Sequence, residues 1–99
     1  MMNLNNISGF NWDDGNARKN EKHGVSMAEA EQVFFNLPLL ILDDARHRKQ
    51  ESRPHVLGKT DEGRALHITL TLRQSNQLIR VISARDMHRK ERAIYEQAS

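Results

Sequence analysis

A chain of 99 residues, 37% hydrophobic and with a formal net charge of +2, can bury one core and has no room for two. Cysteine is absent, which excludes disulfide staples, thiol catalysis and zinc ribbons and fits a reducing cytoplasm. So small a net charge excludes indiscriminate nucleic-acid binding; ten of the fifteen cations are arginine, so RNA affinity would have to come from local clustering.

Residues 1–9 are polar and Asn-rich, without a cationic stretch leading into an apolar core, so no signal peptide is expected. The longest apolar run, residues 37–42, is far short of a membrane span, and the expectation is a soluble cytoplasmic protein with no membrane partner. Asp13 is placed to cap a short helix over residues 14–22, with Trp12 and Ala17 as its hydrophobic staple and His23-Gly24 as its exit. Ser26-x-x-Glu29 is a capping-box pattern that opens a second helix, stapled by Val25 and Ala30. Met27, Ala30, Val33, Phe34 and Leu37 then share a face at helical spacing, while Phe35 points away from it and hints at a partner interface.

After that helix the period becomes two. Residues 39–42 form a short buried strand, and residues 53–60 form another, which Pro54 confines to an edge of the sheet or to its own first residues. Leu66, Ile68, Leu70 and Leu72 alternate with His67, Thr69, Thr71 and Arg73, as in a half-buried strand. Gln74-Ser75-Asn76 is a turn into a fourth strand over residues 77–83. Ser83-x-x-Asp86 repeats the capping pattern and opens a last helix, on which Arg85, His88, Arg89 and Arg92 share one face and Met87, Ile94 and Ala98 the other. The expected fold class is α+β, one domain over residues 1–99: two N-terminal helices, an antiparallel sheet of about four strands, and a C-terminal helix. The helices cover one sheet face and leave the other free.

On that free face the alternation gathers Glu51, Arg53 and His55, then His67, Thr69 and Thr71, then Arg80. A strand that buries itself has no packing use for Arg80, or for Arg85 at its exit. Planar cationic forks are suited to phosphate oxygens. RNA cleavage without a metal needs a base for the 2′-hydroxyl, cations for the pentacoordinate phosphate and an acid for the leaving oxygen. Glu51 or a histidine can serve as base, Arg53, Arg80 and Arg85 as the clamp, and His23 or Tyr95 as acid. Lys22, His55, His67, Arg89 and Arg92 are further groups able to hold RNA. Each also has a plain structural reading. Glu51 and Arg53 make an ion pair, Lys22-His23 complements a helix C-terminus, and Arg89 with Arg92 forms a solvated face. Arg85, read in the first turn of the last helix, stands where the dipole disfavours a cation unless an anion binds there. The histidines show no metal-ligand spacing, and no cofactor is expected.

Phe10-x-Trp12-Asp13, Asn20-x-Lys22-His23-Gly24-Val25, Glu29-Ala30-x-x-Val33-Phe34, Glu51-x-Arg53, Gly58, Ile82-Ser83-Ala84-Arg85 and Glu91-Arg92-x-x-Tyr95 together resemble the BrnT toxins. The match runs in order from Phe10 to Tyr95 and departs from the family at Ser26-Met27, at Asp86 and in the Arg-rich segment after it. The resemblance implies a RelE-like fold and a ribonuclease toxin of a type II toxin–antitoxin system that halts translation. It also implies a BrnA-type antitoxin as partner, which occludes the active face and carries the contact to DNA. The family pattern reaches Lys22, His23, Glu51, Arg53, Arg80, Arg85 and Tyr95. The alternative is an inactive binding module of the same fold, acting with its partner in autoregulation. A stand-alone DNA-binding regulator is disfavoured, because no helix-turn-helix is visible.

Overall fold

The fold comes from a computed structural model that describes residues 7–13, 15, 23–42, 54–75 and 77–98. Along the described chain the elements are β1 (Gly9–Phe10), α1 (Met27–Val33), β2 (Leu40–Leu42), β3 (His55–Lys59), β4 (Ala65–Arg73), β5 (Leu78–Asp86) and α2 (Arg89–Ala98). The strands form one sheet in the order β1-β5-β4-β3-β2. The three pairings from β2 to β5 are antiparallel, as alternation and short turns require, but β1 lies parallel to β5. The sheet is therefore mixed and five-stranded, not antiparallel with four strands. Two residues carry no readable alternation. β1 is created by tertiary pairing, through Ser8 N–H to Gln77 O and Asn11 N–H to Ile79 O, both 2.8 Å.

Two helices are described where three were expected, and only one of them precedes the main strands. The helix expected over residues 14–22 lies, apart from Gly15, outside the described residues. α1 starts as its capping box dictates: Ser26 Oγ accepts from Glu29 N–H and Glu29 Oε1 accepts from Ser26 N–H, each at 3.1 Å. It is only seven residues long, too short to hold itself in water, so packing must hold it. Val25, Ala30 and Val33 supply that packing against Val56, Leu66, Ile68, Leu70, Ile79, Val81 and Ala84 on one sheet face. Gly58 lets α1 come this close, since a Cβ there would meet Val33 Cγ1 at 2.6 Å. The helix ends in a tight turn, Phe34 N–H to Glu31 O and Phe35 N–H to Gln32 O. Phe35 and Leu37 thus stand 77% and 91% exposed. The apolar face expected to run from Met27 to Leu37 stops at Phe34.

The opposite sheet face is not free, as the sequence had suggested. α2 crosses it, and Tyr95 and Met87 pack with Leu57, beside Leu40, Leu42 and Ala65. Nor does Ser83 cap this helix. β5 continues to Asp86 because its backbone keeps pairing with β4, and Met87 N–H still reaches Ala65 O at 3.0 Å. The helix starts five residues later than Ser83-x-x-Asp86 suggests. Its inward face is Glu91 and Tyr95, while Ile94, expected to be buried, is 47% exposed.

Candidate active site on the second sheet face

Three rows of facing residues define the second face. The strand registers align Leu40, Leu57, His67 and Arg85 in one row and Leu42, His55, Thr69 and Ser83 in the next, with Thr71 opposite Arg80 beyond them. α2 lies over the first row, through Glu91 at the Arg85 end and Tyr95 at the Leu57 end. The second and third rows continue the same face beside it, and this strip of sheet along α2 is called the groove.

A β-bulge decides which residues share this face. Thr69 faces Ser83 but Leu70 faces Val81, so Ile82 has no partner on β4. Before it, Ile79 and Val81 point into the α1 core and Arg80 points out. After it the phase inverts: Ala84 is buried against Ile68, while Ser83 and Arg85 turn outward. Under strict alternation Arg80 and Arg85 would face opposite sides; one extra residue puts them on the same one. Their β4 partners, Thr71 and His67, are four residues apart, about 13 Å at the usual strand rise. Each arginine therefore marks a different part of the groove.

Arg85 is held by Glu91 in a two-pronged contact, Nη1 to Oε1 at 2.8 Å and Nη2 to Oε2 at 3.0 Å. Glu91 Oε1 also accepts the His88 N–H at 2.8 Å, the reciprocal half of a capping box for α2. With these donors, Arg85 first, the Glu91 carboxyl is lowered to about 2. His67 Nε2 lies 3.7 Å from Glu91 Oε2, a charge contact too long for a hydrogen bond. Burial, with Arg85 and His55 nearby, pushes the His67 imidazole below its ordinary range despite Glu91. His67 is therefore neutral near pH 7, and it is Arg85 and the backbone donor that keep Glu91 ionised. Among the described residues His67 Nδ1 is buried without a hydrogen-bond partner. Its ring packs 5.0 Å from the His55 ring, and His55 Nδ1 shares a 2.9 Å hydrogen bond with Thr69 Oγ1. That bond leaves Nε2 of His55 as the ring nitrogen not engaged by Thr69. At the far end Arg80 donates from Nη1 to Asn11 Oδ1 and from Nη2 to Asp13 Oδ2, both at 2.7 Å.

The structure thus brings together His55, His67, Arg80 and Arg85 of the residues singled out in the sequence. It places Arg85 on β5 and not in a helical first turn, so the conflict with the helix dipole does not exist. His23 lies in a turn beside Gly24, whose carbonyl accepts from Arg64 Nη1 at 2.7 Å. Arg64 also binds Asp86 and Glu29 at the start of α1, so His23 sits on the α1 side. Tyr95 is 2% exposed, and its hydroxyl donates to Pro38 O at 2.6 Å. Burial raises its pKa, and its contacts are those of a packing residue. Arg89 and Arg92 are exposed on α2, where Arg92 acts on Asp86. Lys22, Glu51 and Arg53 lie outside the described residues. Glu91 is the site residue that the sequence reading passed over. The signal for it was His88-x-x-Glu91, a glutamate three residues after a cap position, where its carboxylate reaches back past the helix start.

A family model described as the ribonuclease toxin, BrnT, of a type II toxin–antitoxin system matches residues 12–91. Among the curated proteins none matches the chain. The matched stretch starts in the segment that holds Arg80 and ends on Glu91, so it spans His55, His67, Arg80, Arg85 and Glu91. The chain belongs to the BrnT family of ribonuclease toxins of type II toxin–antitoxin systems.

Proposed function

We propose that this chain is a metal-independent endoribonuclease whose active site is the groove beside α2. It inhibits translation in the cytoplasm by cutting RNA, and a BrnA-type antitoxin neutralises it. The observation that carries the reading is the convergence of His55, His67 and the Glu91-oriented Arg85 on one face. A guanidinium fixed at both terminal nitrogens by Glu91, with Nη1 also donating to Asp86 O, presents its remaining edge in a defined direction, as a charge-stabilising group must. Arg85 meets the phosphate as negative charge builds on its non-bridging oxygens. The 2′-oxygen attacks phosphorus as a base removes its proton, and the bond to the 5′-oxygen breaks as an acid protonates it. The products are a 2′,3′-cyclic phosphate and a 5′-hydroxyl. His55 serves as one of the two proton carriers through Nε2, with Thr69 setting its orientation. Glu51 or a second histidine is the other. His67 is a positioning residue that backs His55 and Glu91, and Arg80 holds a phosphate at the far end of the groove.

The test is incubation of the purified chain with total RNA in EDTA, beside His55→Ala and Arg85→Ala variants. Cleavage that survives the chelator and is lost in both variants is the expected result. Cleavage abolished by EDTA and restored by a divalent ion refutes metal independence. Cleavage undiminished in both variants removes this groove from the chemistry.

A further inference from the structure

α2 has a flank that packing does not explain. Glu91 and Tyr95 face the sheet, and at about 100° per residue Arg92 and Lys90 leave the helix on opposite sides. Tyr95 leans to the Arg92 side, and its ring meets Lys59, which lies across the Leu57 row from His55, so the Arg92 side of the helix lies away from His55. Arg89 follows Arg92 toward the outer surface. Lys90 and Ile94, one turn apart, therefore line the side over the row His55–Thr69–Ser83. Both are exposed. Ile94 is the large apolar residue of the helix that its own fold leaves in water, and it borders a groove floored by hydroxyls, histidine and arginine.

We infer that Lys90 and Ile94 form the helix-side wall of the groove and hold the single-stranded RNA segment next to the cleaved bond. The ammonium takes a backbone phosphate and the isoleucine lies against an unstacked base. The inference rests on the ribonuclease reading and adds a substrate-holding subsite to it. Charge and continuity favour RNA as the occupant. Lys90 is next to Glu91, which orients Arg85, so a strand with one phosphate at Arg85 passes along this wall. A duplex presents its bases edge-on and gives Ile94 nothing to cover, whereas a single strand can turn a base face onto it.

The experiment measures binding of a 2′-O-methylated single-stranded oligoribonucleotide, which cannot be cut, by fluorescence anisotropy across a salt series. Cleavage of the unmodified oligonucleotide is followed alongside, and circular dichroism checks that the surface variants fold. Lys90→Ala should weaken binding about three- to tenfold and make the slope of log K against log salt shallower by about 0.7, the value for one phosphate on a single strand. Ile94→Ala should weaken binding without changing that slope. If both variants bind and cut as the parent does, the subsite is refuted while the ribonuclease reading stands. An equal change of slope in Arg89→Ala would mean diffuse attraction to the whole helix and would also overturn it. A parent chain that neither binds nor cuts RNA ends both readings together.

Discussion

At the scale of single residues, Arg85 and Glu91 form one unit. The carboxylate is held by three donors and in turn fixes the guanidinium, so charge alone is insufficient at position 85. Arg85→Lys keeps the charge but loses the fork, and it should still lower kcat by at least ~100-fold, measured in single-turnover RNA cleavage. Activity within a few-fold of the parent would show that no fork is needed. Glu91 also makes stability depend on pH. Its folded pKa is depressed from the model-compound value of 4.5 to about 2, so its ionised form is favoured by folding. That contribution is fully present above pH 4.5 and is lost as pH falls toward 2. It is on the order of 2 kcal/mol after allowance for solvent screening. In urea titrations, Glu91→Gln should be less stable than the parent at pH 6, and most of that gap should be closed at pH 2.5. A gap of constant size at both pH values would mean that the loss comes from packing alone.

At the scale of elements, two contacts position the groove. The first is α1 on β3, where Gly58 faces Val33. Val33 is branched at Cβ and cannot swing aside cheaply. Gly58→Ala should therefore destabilise the fold by about 1–3 kcal/mol. Combined with Val33→Ala, which removes the opposing methyls, the total loss should fall short of the sum of the two single losses by about 1 kcal/mol. Strict additivity in chemical denaturation would mean that the strand shifts to relieve the clash. The second is the bulge at Ile82. Alternation in the sequence correctly separates Leu66, Ile68 and Leu70 from His67, Thr69 and Thr71, and correctly turns Arg80 outward. It has no means of registering one unpaired residue, because a bulge exists only relative to the partner strand. For the same reason the Ser83 capping pattern was misleading. A local side-chain cap was outweighed by a strand pairing that extends to Asp86.

At the scale of the molecule, a net charge of +2 leaves little long-range attraction for RNA, and the second face supplies a few placed cations. Binding should accordingly be only moderately sensitive to salt. Phosphate contacts at Arg80, Arg85 and Lys90 predict a slope of about −2 in log K against log salt. A slope steeper than about −4 would show that RNA spreads across other basic surface as well. The mixed sheet is also a whole-molecule feature. β1 is only two residues long, yet it leads the chain into Asn11 and Asp13, which hold Arg80 at the end of the groove.

By itself the sequence determined the α+β class, the α1 capping box, the turn at Gln74-Ser75, and the location of β2 to β5 within a few residues. It also determined family membership. Those features depend on near neighbours: a side chain bonding the backbone three residues away, or polar and apolar groups alternating along one strand. Only the tertiary structure decided that Arg80 and Arg85 face the same way, that Glu91 holds Arg85, and that Tyr95 packs against Leu57 with its hydroxyl on Pro38 O. Each of these depends on which backbone groups pair across distant strands and on which side of α2 meets the sheet, and such pairings are chosen by the energy of the whole fold.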